Sequence, residues 1–163
     1  MKRKRRRLAF ERLEDRRLLT GDISQLGYFD TWDGGIIRST DVAGIAYHPP
    51  SGHLYLADSE INELPIFNGD NIFETSLSGD QVFREIASNN TEPTGITYNE
   101  FDGYFYVTND TGPKTVTRYD SNLNNPLLVI STKDDVSSAT DPEGITSDPS
   151  TGFLYVSDGN GGG

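Results

Sequence analysis

The chain contains no cysteine, one methionine and one tryptophan among its 163 residues. The absence of cysteine excludes disulfide bonds and thiolate metal sites. No run of about 18 apolar residues occurs, so nothing in the sequence predicts a helix that spans a membrane. Strong helix formers are scarce after the N-terminus, whereas Asn, Asp, Gly, Ser and Thr are abundant and aromatic residues recur at intervals. This composition predicts an all-β fold.

Basic residues are also scarce outside the N-terminus. Residues 1–19 hold nine Lys and Arg against three acids, net +6, whereas residues 20–163 hold five against 22, net −17. An acidic body repels phosphate backbones, so we expect no nucleic-acid binding by the domain. The same charge suits cations, basic partners or simple solubility.

What the chain does contain is an internal repeat. The stretch DPEGITSDPSTGFLYVSD at 141–158 has two earlier counterparts, DVAGIAYHPPSGHLYLAD at 41–58 and EPTGITYNEFDGYFYVTN at 92–109. The three align without a gap and share two glycines, an isoleucine and a tyrosine. Their offsets of 51 and 49 residues indicate a repeating unit of about 50 residues.

Each unit predicts a hairpin followed by two more strands. Apolar and β-branched residues flank turns at 48–52, 99–103 and 148–152, and each turn ends in a glycine. Four antiparallel strands in about 50 residues are typical of one β-propeller blade. We therefore expect an incomplete β-propeller over residues 23–163, with units starting near 41, 92 and 141.

This expected architecture has two full four-stranded blades and a half-blade at either end, the first of them at residues 27–40. Because propellers have about four to eight blades, we expect the chain to be a fragment of a longer protein. Blades bury their faces against their neighbours, and a glycine at 44, 95 and 144 fits a close approach of the innermost strand. The side chains expected in the core are Ile45, Ile96, Ile145, Tyr55, Tyr106 and Tyr155.

The repeated glycine, isoleucine and tyrosine pattern resembles the NHL and related six-bladed β-propellers over most of residues 27–163. Ile follows the first glycine in every copy, and Tyr opens the second apolar run. The resemblance implies that equivalent ends of successive blades converge on one mouth of a central channel.

The basic N-terminal segment predicts a disordered or weakly helical tail that packs against nothing in the domain, because charge interrupts the apolar run that a standard signal peptide needs. The stretch FERLEDRRLLTGD at 10–22 resembles the LEPR-x-LL leader motif of large exported planctomycete proteins. Leu13, Glu14, Arg16 and the Leu18–Leu19 pair match, while Asp15 replaces the usual proline. The resemblance implies a targeting segment over residues 1–22 and a secreted or cell-surface protein.

Three polar residues end the second strand of each unit: Asp58, Asn109 and Asp158. In one interpretation they cap neighbouring backbone groups, as Asp and Asn do at turns, and the sequence favours this interpretation. In the other they bind a ligand, because carboxylate and amide oxygens suit a hard cation such as calcium. Acidic and amide residues at the blade tops of calcium-dependent lactonase and phytase-like propellers, which the pattern resembles, imply the second interpretation.

Glu143 is a further candidate ligand-binding residue. It resembles the metal-binding glutamate that precedes the inner-strand glycine in gluconolactonase-type propellers, and the other copies carry Ala43 and Thr94 at this position. His48 and His53 are the only histidines, but they align with ordinary turn and strand positions, so the sequence assigns no catalytic residue.

We therefore expect an exported cell-surface or extracellular binding or scaffold module whose ligand is a protein or a carbohydrate. The alternative is a calcium-dependent propeller hydrolase of the lactonase or phytase-like class. The sequence favours binding over catalysis and commits to no cofactor, with Ca²⁺ as the candidate in the alternative.

Overall fold

The computed structural model describes residues 27–32 and 36–159, and within them the fold is almost wholly β. The helical elements are a 3₁₀ turn at Ile61–Glu63 and a four-residue helix, α1, at Thr132–Asp135. The ten strands are β1 (Val42–His48), β2 (His53–Asp58), β3 (Ile72–Thr75), β4 (Val82–Ile86), β5 (Pro93–Asn99), β6 (Tyr104–Asn109), β7 (Thr115–Tyr119), β8 (Pro126–Ser131), β9 (Pro142–Ser147) and β10 (Leu154–Asp158).

These strands form two complete propeller blades and one hairpin. Blade 1 is an antiparallel sheet in the order β1-β2-β3-β4, and blade 2 has the same order, β5-β6-β7-β8. The strands β9 and β10 pair alone. The predicted all-β, incomplete propeller is confirmed, with a half-blade at its C-terminal end.

The three hairpin turns lie where the sequence predicts them. In each turn the N–H of a glycine donates to the carbonyl four residues earlier: Gly52 to His48 (2.9 Å), Gly103 to Asn99 (2.8 Å) and Gly152 to Asp148 (2.8 Å). The glycine φ values of 73°, 77° and 76° lie in the left-handed region, where a side chain is unfavourable. This is why glycine recurs at the end of the turn.

The blades pack through their innermost strands, β1, β5 and β9, which lie side by side. A side chain at Gly44 would meet the backbone of Gly95 at 2.9 Å, and one at Gly95 would meet the carbonyl oxygen of Glu143 at 2.6 Å. Hydroxyl groups join the same backbones, since Thr94 Oγ1 donates to the Pro142 carbonyl at 2.7 Å. The predicted close approach at these glycines is therefore confirmed.

The main core fills the space between the two blades. Blade 1 contributes Tyr55, Ala57 and Ile72, and blade 2 contributes Phe105 and Tyr119 among others. A second cluster covers the opposite face of blade 1, where Ile37 from the segment before β1 packs on Leu56, Ile61 and Phe73.

The expected burial is correct for only part of the core set. Ile96 (2% exposed), Tyr55 and Tyr106 are buried. Ile45 is 61% exposed and Tyr155 is 56% exposed, and Ile145 is partly exposed, so the prediction was wrong for these three. Ile45 and Tyr155 lie on the two end faces of the stack, where no neighbouring blade covers them among the described residues.

The expected N-terminal half-blade at residues 27–40 is described except for residues 33–35. Residues 27–32 and 36–40 contain no strand. Arg38 has a φ of 58°, which interrupts an extended backbone. The N–H of Thr40 and the hydroxyl of Ser39 donate to the side chain of Asp58, so their bonds go to a carboxylate and not to a strand edge.

Candidate functional site

The three polar residues at the ends of β2, β6 and β10 have one shared contact. Each side chain accepts a hydrogen bond from the backbone N–H of the first residue of its own unit, which closes the open end of the hairpin. The pairs are Asp58 with Asp41 (3.2 Å), Asn109 with Glu92 (3.1 Å) and Asp158 with Asp141 (2.8 Å). The capping role favoured by the sequence is thus present: the shared partner lies 17 residues earlier, and Asp58 also caps the turn that follows it.

Asp58 accepts more hydrogen bonds than Asn109 or Asp158. Its carboxylate is fully buried and also accepts hydrogen bonds from the Ser39 hydroxyl (2.6 Å) and the N–H groups of Thr40 (2.8 Å), Glu60 (3.0 Å) and Ile61 (2.9 Å). Five donors therefore surround two oxygens. Asp58 holds the segment before β1 and the 3₁₀ turn against the blade.

Asn109 is also buried, and its amide nitrogen donates to the Thr111 carbonyl. Asp158 is exposed and lies beside Asp141, whose N–H it accepts. Of the four candidate ligand-binding residues, the structure brings Asp158 and Glu143 together around Asp141, while Asp58 lies in blade 1, with blade 2 between them.

Glu143 itself is exposed at the start of β9. Its backbone carbonyl accepts a hydrogen bond from the Thr108 hydroxyl at 2.5 Å. Desolvation raises the pKa of Glu143, and the neighbouring charges of Asp141 and Asp110 raise it further, while Lys114 opposes them. Glu143 therefore lies in a region of concentrated negative charge.

We call this region the acidic rim. It comprises the carboxylates of Glu60, Glu63, Glu92, Asp110, Asp141 and Glu143. Desolvation raises the pKa of Glu92, and Asp110, Glu63 and Glu60 add to that effect. The pKa of Asp141 is raised by desolvation and then by its hydrogen bond with Asp110. The rim follows the ends of successive blades, as the propeller architecture predicts.

Lys114 is the cation of the rim. Its Nζ donates to the Asp110 carboxylate at 2.6 Å and also to the Asp110 carbonyl. One ammonium group does not balance six carboxylates, so the rim keeps a net negative charge.

A calcium ion does not fit the four candidate residues as one ligand set. The oxygens of Asp58 are occupied by five donors, and the Asn109 oxygen accepts the Glu92 N–H at 3.1 Å. Within residues 27–32 and 36–159, no group of three or more His, Asp or Glu side chains is arranged to hold a metal ion. Calcium prefers about six to eight oxygen ligands, which this arrangement does not assemble.

The two histidines lie in structural environments. His48 is buried against the rings of Tyr98 (4.4 Å between centroids), Phe105 (5.2 Å) and Tyr55 (5.7 Å), and its Nδ1 lies 2.8 Å from the Ser51 hydroxyl. His53 stacks on Phe83 and its Nδ1 lies 2.7 Å from a Glu74 carboxylate oxygen.

Sequence reasoning missed a buried polar network in blade 1, centred on Glu74. This carboxylate contacts His53 and the guanidinium of Arg84, and Arg84 also donates to the Tyr55 hydroxyl (3.0 Å) and to the Asn122 carbonyl of blade 2 (3.0 Å). Burial alone would raise the pKa of Glu74, but these hydrogen bonds outweigh burial and lower it. Burial likewise raises the pKa of Tyr55 to about 12.

The one indication of this network in the sequence is a charged residue on the third strand of each blade, at the position that pairs with the repeated tyrosine. Glu74 lies opposite Tyr55, and Arg118 lies opposite Tyr106 at the same place in blade 2. A charged residue thus lies opposite the repeated tyrosine in both blades, but its charge differs in sign. Alignment of the copies therefore does not reveal its partners.

A family model described as planctomycete extracellular matches residues 4–23. A search of curated proteins gave no match. Among solved structures, a chain from the crystal structure of a nidogen/laminin complex has a TM-score of 0.58 and 21% identity, covering 76% of this chain and 42% of that one. A gluconolactonase, XC5397 from Xanthomonas campestris, has a TM-score of 0.49 and 19% identity, covering 75% of this chain and 37% of that one.

These findings agree with the architecture. The chain is β-propeller-like, and it spans less than half the length of both matched structures. The match at residues 4–23 agrees with the expected localisation, which is secreted or at the cell surface. No helix in the described part of the chain is long and apolar enough to cross a membrane. The predicted leader at residues 1–22 lies outside the described residues.

Proposed function

We propose that this chain is part of an exported, NHL-like β-propeller that serves as a binding or scaffold module at the cell surface. In this proposal residues 1–22 are a targeting segment and residues 23–163 supply the first blades of the propeller. The two blades and the hairpin support this division, as does the coverage of only 42% of the nidogen/laminin chain. The remaining blades would come from further sequence of the same protein.

The ligand of this module is a protein or a carbohydrate, and the acidic rim favours a protein segment with positive charge. The observation that carries the proposal is the clustering of carboxylates at the rim, where desolvation first and like-charged neighbours second raise the pKa values of Glu92, Asp141 and Glu143. A cationic partner relieves this repulsion, and charged rims of this kind speed association and select partners.

A decalysine peptide is a suitable probe, with nuclear magnetic resonance to locate its contacts. At low salt we expect the backbone amides of Glu92, Asp110, Asp141 and Glu143 to shift most. Glu143→Gln should weaken binding about two- to fivefold, because each surface charge contributes modestly. Glu85→Gln, on the outer strand β4, is the matched control and should have little effect. Equal losses from both variants, or shifts spread over the whole surface, would reject the rim as the binding site.

The second candidate function is a calcium-dependent hydrolase of the lactonase or phytase-like class. It is favoured by Glu143, which is exposed, has a raised pKa and has no carboxylate counterpart at Ala43 or Thr94. Titration calorimetry with calcium separates the two functions. We expect no micromolar binding by this chain, since the rim is an arc with too few free oxygens. Micromolar binding that disappears in Glu143→Gln would favour the enzyme over the binding module.

A further inference from the structure

Blade 2 contains a pocket at the point where the chain enters it from blade 1. The pocket has a volume of about 260 Å³, far more than the roughly 15 Å³ that one water molecule requires. Its lining comes from the connection between the blades (residues 89–91), the end of β6 with the loop after it (residues 109 and 111–113), Thr115 and Thr117 of β7, and Pro126 and Val129 of β8. The pocket is therefore formed within the two complete blades.

The same place in blade 1 is filled by an aromatic side chain. There Phe73, which is 2% exposed, packs on Leu56 in the second cluster. Phe73 lies opposite Leu56 in the strand register, and Thr117 lies opposite Val107. Leu56 and Val107 are equivalent in the aligned copies. Blade 2 thus has a threonine where blade 1 has a buried phenylalanine.

Two more apolar side chains of that cluster are replaced by small residues in blade 2. Continuing the alignment with its offset of 51 residues places Ser88 at the position of Ile37. The same offset places Gly112 at the position of Ile61. A Cβ added at Gly112 would meet no described atom within 4 Å apart from its chain neighbours. Three replacements therefore open in blade 2 a space that blade 1 fills.

A buried amide group in this pocket lacks a hydrogen-bond partner. Asn90 is 6% exposed, and its Oδ1 accepts the Thr117 hydroxyl at 3.1 Å. Its Nδ2 has no partner among the described residues, which is unfavourable for a buried donor. A flipped amide would give Nδ2 the Thr117 hydroxyl and leave Oδ1 unpaired. A ligand hydroxyl satisfies either orientation, because it both donates and accepts.

The remainder of the lining is uncharged. Among the described residues that line the pocket there is no Lys, Arg, His, Asp or Glu, although residues 20–163 carry a net charge of −17. Pro113, Pro126 and Val129 supply apolar surface beside the buried Thr115 and Thr117. Apolar walls with a few placed polar groups are typical of small-ligand sites. A neutral ring with C–H groups on its faces and hydroxyl groups on its edge matches this lining.

We propose that the pocket binds one neutral sugar ring of a carbohydrate. A sugar hydroxyl pairs with the free amide atom of Asn90, and the C–H face of the ring packs on Pro126 and Val129. This inference goes beyond the binding role of the acidic rim and does not depend on it. The rim attracts positive charge, whereas the pocket takes a neutral group through hydrogen bonds and apolar contact.

Titration of the full chain with sugars, followed by nuclear magnetic resonance, tests the proposal. The probes are the neutral methyl glycosides of glucose, galactose, mannose and N-acetylglucosamine. We expect at least one to bind with a dissociation constant of about a millimolar and to shift the side-chain amide of Asn90 and the backbone amides of Thr115 and Thr117. If none of the four shifts the Asn90 side chain at about 50 mM, the pocket holds water only and the proposal is wrong.

A charged sugar tests the requirement for a neutral ligand. Methyl glucuronide differs from methyl glucoside by its carboxylate, and the acidic domain repels that charge. We expect it to bind at least about fivefold more weakly than the best neutral glycoside at low salt. Equal or tighter binding of the glucuronide would overturn the proposal.

Two substitutions with matched controls locate the site. Asn90→Leu keeps a similar size and removes the amide, so the affinity should fall at least about tenfold. Asn124→Leu, at an exposed position between β7 and β8, should leave it unchanged.

Because Asn90 is buried, a substitution at an exposed position gives a second test. Val129→Phe fills the pocket from β8 and should remove sugar binding while the melting temperature stays within about 2 °C. Leu128→Phe is the control, since Leu128 is 45% exposed and lies outside the lining. Binding that survives Val129→Phe, or that Leu128→Phe weakens equally, would overturn the proposal.

Discussion

At the scale of single residues, the inner-strand glycines Gly95 and Gly144 differ in the atoms that surround them. Gly95 has the Glu143 carbonyl oxygen at 2.6 Å and the Thr108 hydroxyl at 2.8 Å from the position of an added Cβ, whereas Gly144 has only the Ser157 hydroxyl, at 3.3 Å. Neither residue has a positive φ, so contact and not backbone conformation decides the cost.

We expect Gly95→Ala to lower the free energy of unfolding by about 2 to 3 kcal/mol, because a carbonyl group of the next blade has to move. The matched change Gly144→Ala should cost less than about 1 kcal/mol, since a single hydroxyl rotates away. Urea denaturation of both variants measures the difference. Equal losses would mean that the inner strands of the second blade and the hairpin do not pack as described.

Asp58 allows a second comparison between equivalent positions. Asp58→Ala leaves five donors without their acceptor, two of them on buried residues, and should cost about 2 to 4 kcal/mol. Asp158→Ala removes an exposed bond to the Asp141 N–H and should cost less than about 1 kcal/mol. Thermal unfolding of the two variants provides the measurement, and a larger loss for Asp158→Ala would contradict the structural role given to Asp58.

His48 provides a prediction about pH. Burial lowers its pKa below 6.5; Glu74 opposes this shift, and His53 and Arg84 add to it. The unfolded chain therefore takes up a proton near pH 6.5 that the folded chain binds only at lower pH. The stability that the neutral ring contributes is complete above pH 6.5 and is lost as the pH falls through the lowered pKa.

We expect His48→Asn to remove this decline below about pH 6.5. Asparagine is the natural residue at the equivalent position of blade 2, where Asn99 Nδ2 donates to the Gly152 carbonyl at 3.0 Å, so the turn should be kept. His53→Asn is the control for the second histidine. Denaturant titrations at several pH values measure the slope, and an unchanged slope in His48→Asn would assign the decline to another group.

At this scale the sequence indicated the turns and glycines correctly but not all the contacts. Gly52, Gly103 and Gly152 were predictable because a left-handed backbone position limits the choice of residue. The Glu74 network was not predictable, since its partners lie 10 and 21 residues away and blade 2 has an arginine at the same position.

At the scale of elements, the three sheets differ in how far neighbouring sheets bury their strands. The strands β5, β6 and β7 lie between blade 1 and the hairpin, and most of their residues are buried. The hairpin of β9 and β10 packs on β5 and β6 from one side only, and most residues of β10 are exposed.

Hydrogen exchange should therefore separate these elements. We expect the interior amides of β6 to exchange by global unfolding and those of β10 to exchange at least about a hundredfold faster through local opening. Mass spectrometry of peptides covering 104–109 and 154–158 makes the comparison. Equal protection would show that the hairpin is supported by contacts beyond those in the structure.

The hairpin also explains why burial was predicted only in part. The isoleucine and tyrosine positions show which side chains face a neighbouring blade, but not whether a blade is present on that side. Ile96 has neighbours on its face and is buried, whereas Ile45 and Tyr155 lie at the two ends of the stack. A repeated pattern specifies an interface, and the number of units specifies how many interfaces form.

At the scale of the whole molecule, charge separates the N-terminal segment from the domain. Residues 1–19 carry a net charge of +6 and residues 20–163 carry −17. The planctomycete extracellular match ends at residue 23, before the first strand at Val42. The segment and the propeller thus have separate sequence signals, and we expect them to have separable roles.

Deletion of residues 1–22 should abolish export and leave the domain folded, because a segment with nine Lys and Arg among residues 1–19 is unsuited to a hydrophobic core. We expect an unchanged β-type circular dichroism spectrum and a melting temperature within about 2 °C of the full chain, which corresponds to less than about 1 kcal/mol. Leu18→Asp in the full chain is the matched variant, since it disrupts the leader motif without shortening the chain, and it should block export with equal stability. Fractionation of a planctomycete culture measures export. A truncated chain that fails to fold would show that residues 1–22 belong to the domain, and a Leu18→Asp chain that is exported normally would contradict the leader motif.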